Sequence, residues 1–138
     1  LNILIMDARY HPAVADALVD GATAALEKGG ARFVRISVPG VLELPTAIAI
    51  AAQSGKPFDG YVALGCVLAD SRIAGTLYEE TVRALMQLGA TGLPIGNGIV
   101  LAADEGAVLD QAQTMDIGGD AARASILLVT LAQRLGTP

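Results

Sequence analysis

The chain has no tryptophan, one histidine, one cysteine and only nine Lys and Arg side chains among its 138 residues. Each shortage closes a class of function. The lone Cys66 rules out an intrachain disulfide and fits a reducing, cytoplasmic setting. With His11 as the only imidazole, the Cys and His sets of a zinc centre cannot be assembled. A net charge of −5, with no cluster of Lys or Arg, speaks against nucleic-acid binding. No run reaches the roughly 18 uncharged apolar residues of a membrane span. The first residues, Leu1–Met6, lack the charged start and cleavage site of a signal peptide and read as a strand. Phosphate-binding loops of the Walker type, a serine nucleophile elbow and a dinucleotide fingerprint are also missing.

What the chain has in excess is apolar surface. Hydrophobic residues make up 53% and charged ones 17%, more apolar than a typical soluble monomer. With a membrane excluded, a very dry core or subunit interfaces can house the surplus; interfaces are favoured, and a closed homo-oligomer is expected. The length suits one domain, residues 1–138.

Periodicity gives the order of elements. Ile3–Met6 is a short apolar strand, and Asp7–His11 leaves it as a polar loop. Pro12 opens a helix with a stripe at Val14, Leu18, Ala22 and Leu26, and Gly29-Gly30 stops it. Val34, Ile36 and Val38 alternate with Arg35 and Ser37 as a second strand. Pro39-Gly40 turns the chain, and Pro45 starts a helix that runs to about Gln53. Tyr61–Val67 is a continuously apolar strand, the pattern of one covered on both faces. Leu68–Gly75 is a loop, and Thr76–Leu88 a helix with Leu77, Val82, Leu85 and Leu88 inward. Leu93–Leu101 is a fourth strand whose Gly96-Asn97-Gly98 marks a bulge or a close backbone approach. Glu105–Met115 is a weaker helix. Gly118-Gly119 is expected to break the chain and Asp120 to cap a last helix, its inner stripe Ala121, Ala124, Leu128, Leu131 and Leu135. Strands alternating with helices predict an α/β fold, a three-layer α/β/α sandwich on a four-stranded, parallel, flavodoxin-like sheet.

In such a sheet the loops at the strands' carboxyl ends converge on a ligand crevice. Three are in view: Asp7–His11, Pro39–Glu43 and Leu68–Gly75. Tyr10 offers a stacking face or is a plain surface aromatic. Gly40 and Val41 expose backbone groups beside a helix start. Glu43 is an acceptor pair for hydroxyls or a carboxylate that favours the helix N-terminus. Ser71 and Arg72 precede a helix, where an anion is welcome, although Arg72 also reads as a solvated loop cation. His11 reads as a solvated loop residue and Cys66 as a small core residue.

These segments resemble the lumazine synthase family over nearly the whole chain. Ala8-Arg9-Tyr10 is similar to the family's Ala-Arg-aromatic after strand one. Val38–Pro45 is similar to its Val-Pro-Gly, small residue, any residue, Glu, Ile or Leu, Pro. Ala63–Val67 resembles its Ala-Leu-Gly-Cys-Val strand. Leu93–Ile99 and Gly118–Ala122 resemble later segments. The resemblance implies condensation of 5-amino-6-(ribitylamino)pyrimidinedione with 3,4-dihydroxy-2-butanone 4-phosphate in riboflavin biosynthesis, with no cofactor or metal. It implies a pentamer or decamer with sites between subunits. It places Tyr10 on the pyrimidine ring, Gly40, Val41 and Glu43 on the ribityl chain, and Cys66 and Val67 along the heterocycle. Asn97 would come from a neighbouring subunit.

The chain departs from the family in the phosphate half. After the Gly-Cys-Val strand the family reads Arg-Gly, an acidic residue, Thr, any residue, His. Here Ala69–Gly75 is one residue shorter, and Ile73 falls near the histidine. A phosphate-binding arginine and a lysine fall near Met115 and Ile117. The catalytic residue is thus left unassigned, and Ser71 and Arg72 remain for the phosphate. A non-catalytic homologue that binds a lumazine or flavin, or an altered oligomer-forming scaffold, stands beside the enzyme reading.

Overall fold

Strand β1 (Asn2–Ala8) is hidden on both faces because two strands flank it and helices lie above and below. The chain then runs through α1 (Pro12–Lys28), β2 (Arg32–Val38), a 3-10 turn (Val41–Glu43), α2 (Leu44–Gln53), β3 (Gly60–Leu68) and α3 (Ala74–Gly89). It ends with β4 (Ile95–Ala102), α4 (Glu105–Thr114) and α5 (Ile117–Arg134). This is a computed structural model, and it describes residues 1–55 and 58–136. The sheet is parallel throughout, in the order β2-β1-β3-β4.

Two apolar layers fill the space on either side of the sheet. Ile3, Ile5, Val62, Leu64 and Val100 meet α1, α4 and α5 through Leu18, Leu26, Val108 and Val129. Leu4, Met6, Ala63, Val67 and Ile99 meet α2 and α3 through Leu44, Ile48 and Leu85. The expected α/β/α sandwich is what forms. Prolines do the predicted work at the starts of α1 and α2, where no N–H is missed.

Three expectations are corrected. Asp7 is not in a loop. It continues β1 on the face of Ile3 and Ile5 and is fully buried, because Arg35 and Ser37 on the neighbouring strand satisfy its carboxylate. The alternation of β2 is that of a strand with one covered face, but its apolar side chains are not well covered. Val34 and Ile36 are about half exposed, since β2 is an edge strand.

The third correction is in α5. Gly118 and Gly119 do not break the chain but form its first turn, and Asp116, at φ +50°, is the residue that precedes the helix. A Cβ on Gly118 would collide with the carbonyl of Leu18, so this glycine lets α5 lie directly on α1, whereas a Cβ on Gly119 would meet the Asp116 carboxylate. The inner stripe is Ala121, Ala122, Ser125 and Val129, whereas Leu128, Leu131 and Leu135 face outward. The glycines of β4 make no bulge; its register with β3 is unbroken from Tyr61–Ile95 to Leu68–Ala102. They mark the close approach instead, with α5 seated on Gly96 and Gly98.

Candidate active site

Leaving β1, the chain is held to β2 by the Arg9 N–H, which donates to the Val38 carbonyl at 2.9 Å. That contact delivers Tyr10 and His11 to the sheet's carboxyl edge. Here β1 sends the chain to one side for β2 and the other side for β3, the switch point where open α/β sheets bind ligands. A cleft of about 460 Å³ opens at this place, large enough for a small heterocycle.

Tyr10 lies on the rim, 78% exposed, its ring nearly perpendicular to that of His11 at a centroid distance of 4.9 Å. Gly40 and Glu43 close a turn on each other. The Gly40 N–H donates to Glu43 Oε1 at 3.0 Å, and the Glu43 N–H donates to the Gly40 carbonyl at 3.2 Å. One carboxylate oxygen of Glu43 thus fixes the loop, and the pair retains acceptor capacity at the cleft wall. Cys66 and Val67 form the floor, on opposite faces of β3. Asp70, Ser71 and Ile73 form the far wall at the start of α3.

Of the residues expected in the site, Tyr10, Gly40, Val41, Glu43, Cys66, Val67 and Ser71 line this one cleft. Arg72 is exposed and not among the lining residues. Asn97 is elsewhere. It sits opposite Ala63 on the edge strand β4, its side-chain oxygen accepts from the Ile99 N–H at 3.0 Å, and it lines a separate apolar cavity beside α5. The described lining carries the carboxylates of Glu43 and Asp70 and no Lys or Arg. Among the described residues, no three Cys, His, Asp or Glu side chains gather as metal ligands.

The Cys66 thiol is pushed up to about 11, first by burial and then by the Glu105 carboxylate. The raised value keeps it protonated through the neutral range. Iodoacetamide at pH 8.5 should therefore alkylate Cys66 at about a hundredth of the rate of a free thiol, because only the thiolate reacts. Intact mass against time measures this. Equal rates would place Cys66 in an open, ionised setting.

Two site features were not legible beforehand. His11 precedes α1 as its N-cap residue, with its side chain only 21% exposed, and belongs to the cleft lining. Its Nδ1 is 3.4 Å from Glu105 Oε1, at the start of α4. The clue was that Asp104-Glu105 follow a fourth strand and so arrive at the same carboxyl edge as the other loops.

Residues 1–133 match the family described as 6,7-dimethyl-8-ribityllumazine synthase. The 6,7-dimethyl-8-ribityllumazine synthase of Methylocella silvestris is 45% identical, covering 98% of this chain and 87% of its own. That of Sphingopyxis alaskensis is 39% identical and covers 98% and 97%. The 6,7-dimethyl-8-ribityllumazine synthase 1 of Rhodopseudomonas palustris is 40% identical and covers 97% and 87%.

Proposed function

Since this chain belongs to the 6,7-dimethyl-8-ribityllumazine synthase family, we propose that it condenses 5-amino-6-(ribitylamino)pyrimidinedione with 3,4-dihydroxy-2-butanone 4-phosphate, a step of riboflavin biosynthesis in the cytoplasm. The observation that carries the reading is the convergence of Tyr10, the Gly40–Glu43 turn and Cys66-Val67 on one cleft at the switch point. Tyr10 stacks on the pyrimidine ring through its exposed face. The backbone of Gly40 and Val41 and the carboxylate of Glu43 take the ribityl hydroxyls. Cys66 and Val67 line the heterocycle. Ser71, with Arg72 brought in from the exposed loop, meets the phosphate at the start of α3. Holding two reactants in one cleft is itself a large source of rate in a condensation. No cofactor or metal is needed.

Self-association as a pentamer or decamer completes the site. Asn97, outward on β4, is then offered to the cleft of a neighbouring subunit. Val34, Ile36 and Ile50 at one edge, and Leu127, Leu128, Leu131 and Leu135 along α5, are apolar and exposed in the single chain, which supports association. No helix of the described residues is long and apolar enough to cross a membrane.

The test is turnover with both substrates, followed by lumazine absorbance. Acceleration well above the spontaneous condensation supports the proposal. A folded oligomer that gives none is left as a ligand-binding or structural member of the family. Within this reading, Glu43→Ala should weaken binding of the ribityllumazine product by about 1–3 kcal/mol, or roughly five- to a hundredfold in Kd. Glu43→Gln keeps an oxygen for the Gly40 N–H and should lose less. Product titration by fluorescence reads both, and unchanged affinity in Glu43→Ala removes the ribityl assignment.

A further inference from the structure

The cleft described above contains the chain's only histidine. Joining an amine to a ketone needs a group that takes a proton and gives it back near neutral pH, and imidazole is the side chain suited to both. The other lining groups are less able. Cys66 stays protonated, Ser71 needs a base of its own, Glu43 has one oxygen tied to the Gly40 N–H, and Asp70 on the far wall is exposed to solvent. His11 is held from behind by Glu105, with Nδ1 3.4 Å from Oε1, and from the side by the Tyr10 ring. With Nδ1 turned to the carboxylate, Nε2 is the nitrogen left for exchange. A contact of this length is common before substrate binds and tightens in the complex.

The geometry points to His11 as the proton-transfer group of this cleft, with Glu105 as its positioning residue. The inference rests on the proposed function. When the primary amine adds to the ketone carbon, a C–N bond forms and leaves a positive nitrogen beside a negative oxygen. Nε2 accepts a proton from that nitrogen, and the imidazolium delivers it to the oxygen, giving a neutral carbinolamine. In the next step an imidazolium protonates the hydroxyl, the C–O bond breaks and water leaves. The nitrogen lone pair forms the C=N bond, and the remaining N–H proton passes back to Nε2. Amine and ketone become imine and water, and the ring ends each step as it began. Ile73, fully aliphatic on the far wall, takes no part in this.

His11→Asn is the variant of choice, because asparagine is a favoured N-cap residue and keeps the start of α1. The expected result is a kcat at least about a hundredfold lower, with KM little changed. Free imidazole should restore part of the rate. Glu105→Gln should lower kcat by less, leave KM alone and gain nothing from imidazole. Diethylpyrocarbonate on the unaltered protein is an independent route, since there is only one histidine to modify. Inactivation should follow carbethoxylation of His11 and be reversed by hydroxylamine. Undiminished kcat in His11→Asn, or in the carbethoxylated protein, overturns the inference and leaves the proposed function standing. An unaltered protein that gives no acceleration removes both.

Discussion

Replacing Arg35 with alanine is expected to cost about 3–5 kcal/mol of folding stability, the penalty of stranding a buried charge. Asp7 is 0% exposed. Its two oxygens face Arg35 in a bidentate fork, Nε to Oδ1 at 2.9 Å and Nη2 to Oδ2 at 3.0 Å. The Ser37 hydroxyl adds a third hydrogen bond at 2.8 Å. Without the guanidinium, the carboxylate keeps one hydroxyl and no counter-charge at the centre of the sheet. The reverse substitution is milder. Arg35 is partly exposed and also donates to Asp16 at 2.9 Å, so Asp7→Asn leaves it with a partner and access to water. Urea denaturation of both variants reads the asymmetry, and equal losses would mean that the pair is not the electrostatic anchor of β1 to β2.

Gly96→Ala should be nearly as damaging, at about 3 kcal/mol, the upper end of what an overfilled core costs. A Cβ at this point of β4 would overlap the carbonyl group of Ala121 and approach the Ser125 nitrogen at 3.2 Å. All of these atoms are backbone, so no rotamer change relieves the clash and α5 as a whole must retreat. It cannot retreat freely, because its first turn is seated on α1 at Gly118. Gly89→Ala, in the last turn of α3 with nothing within 4 Å, is the control and should gain up to about 1 kcal/mol from helix propensity. Urea midpoints of the two alanine variants should move in opposite directions; movement of both together would refute a seam without spare room.

The sequence carried the order of strands and helices because each has a local cause, such as proline at Pro12 and Pro45 or the unbroken apolar run of β3. It also carried most of the cleft, since the topology alone brings Tyr10, Glu43 and Ser71 to one edge. What it did not carry depends on partners far along the chain. Asp7 reads as the first residue of a loop until Arg35 is known to lie beside it. His11 reads as solvated until Glu105 arrives from the end of β4. The face of α5 was misjudged for a different reason. Hydrophobicity favours the large Leu128, Leu131 and Leu135 as the inner stripe, but Val129 takes the inner place in the later turns, and the first turns lie so close to α1 and β4 that only small side chains fit. Glycine, alanine and serine therefore face inward there, and the leucines are left outside.

The central place of β1 has a kinetic side. Its partners on either hand are parallel, so neither pairing can begin as a hairpin; each must wait until a helix has bridged the two strands. Pairing of β1 with β2 or β3 is therefore a long-range capture rather than a local one, with α1 laid across the sheet between β1 and β2. Loop closure has to precede the reward, which favours slower folding than that of a helical bundle and faster than that of an all-β sandwich. Until β3 docks, the apolar flank and free edge of β1 stay open to other molecules, a surface of the kind on which partly folded chains aggregate.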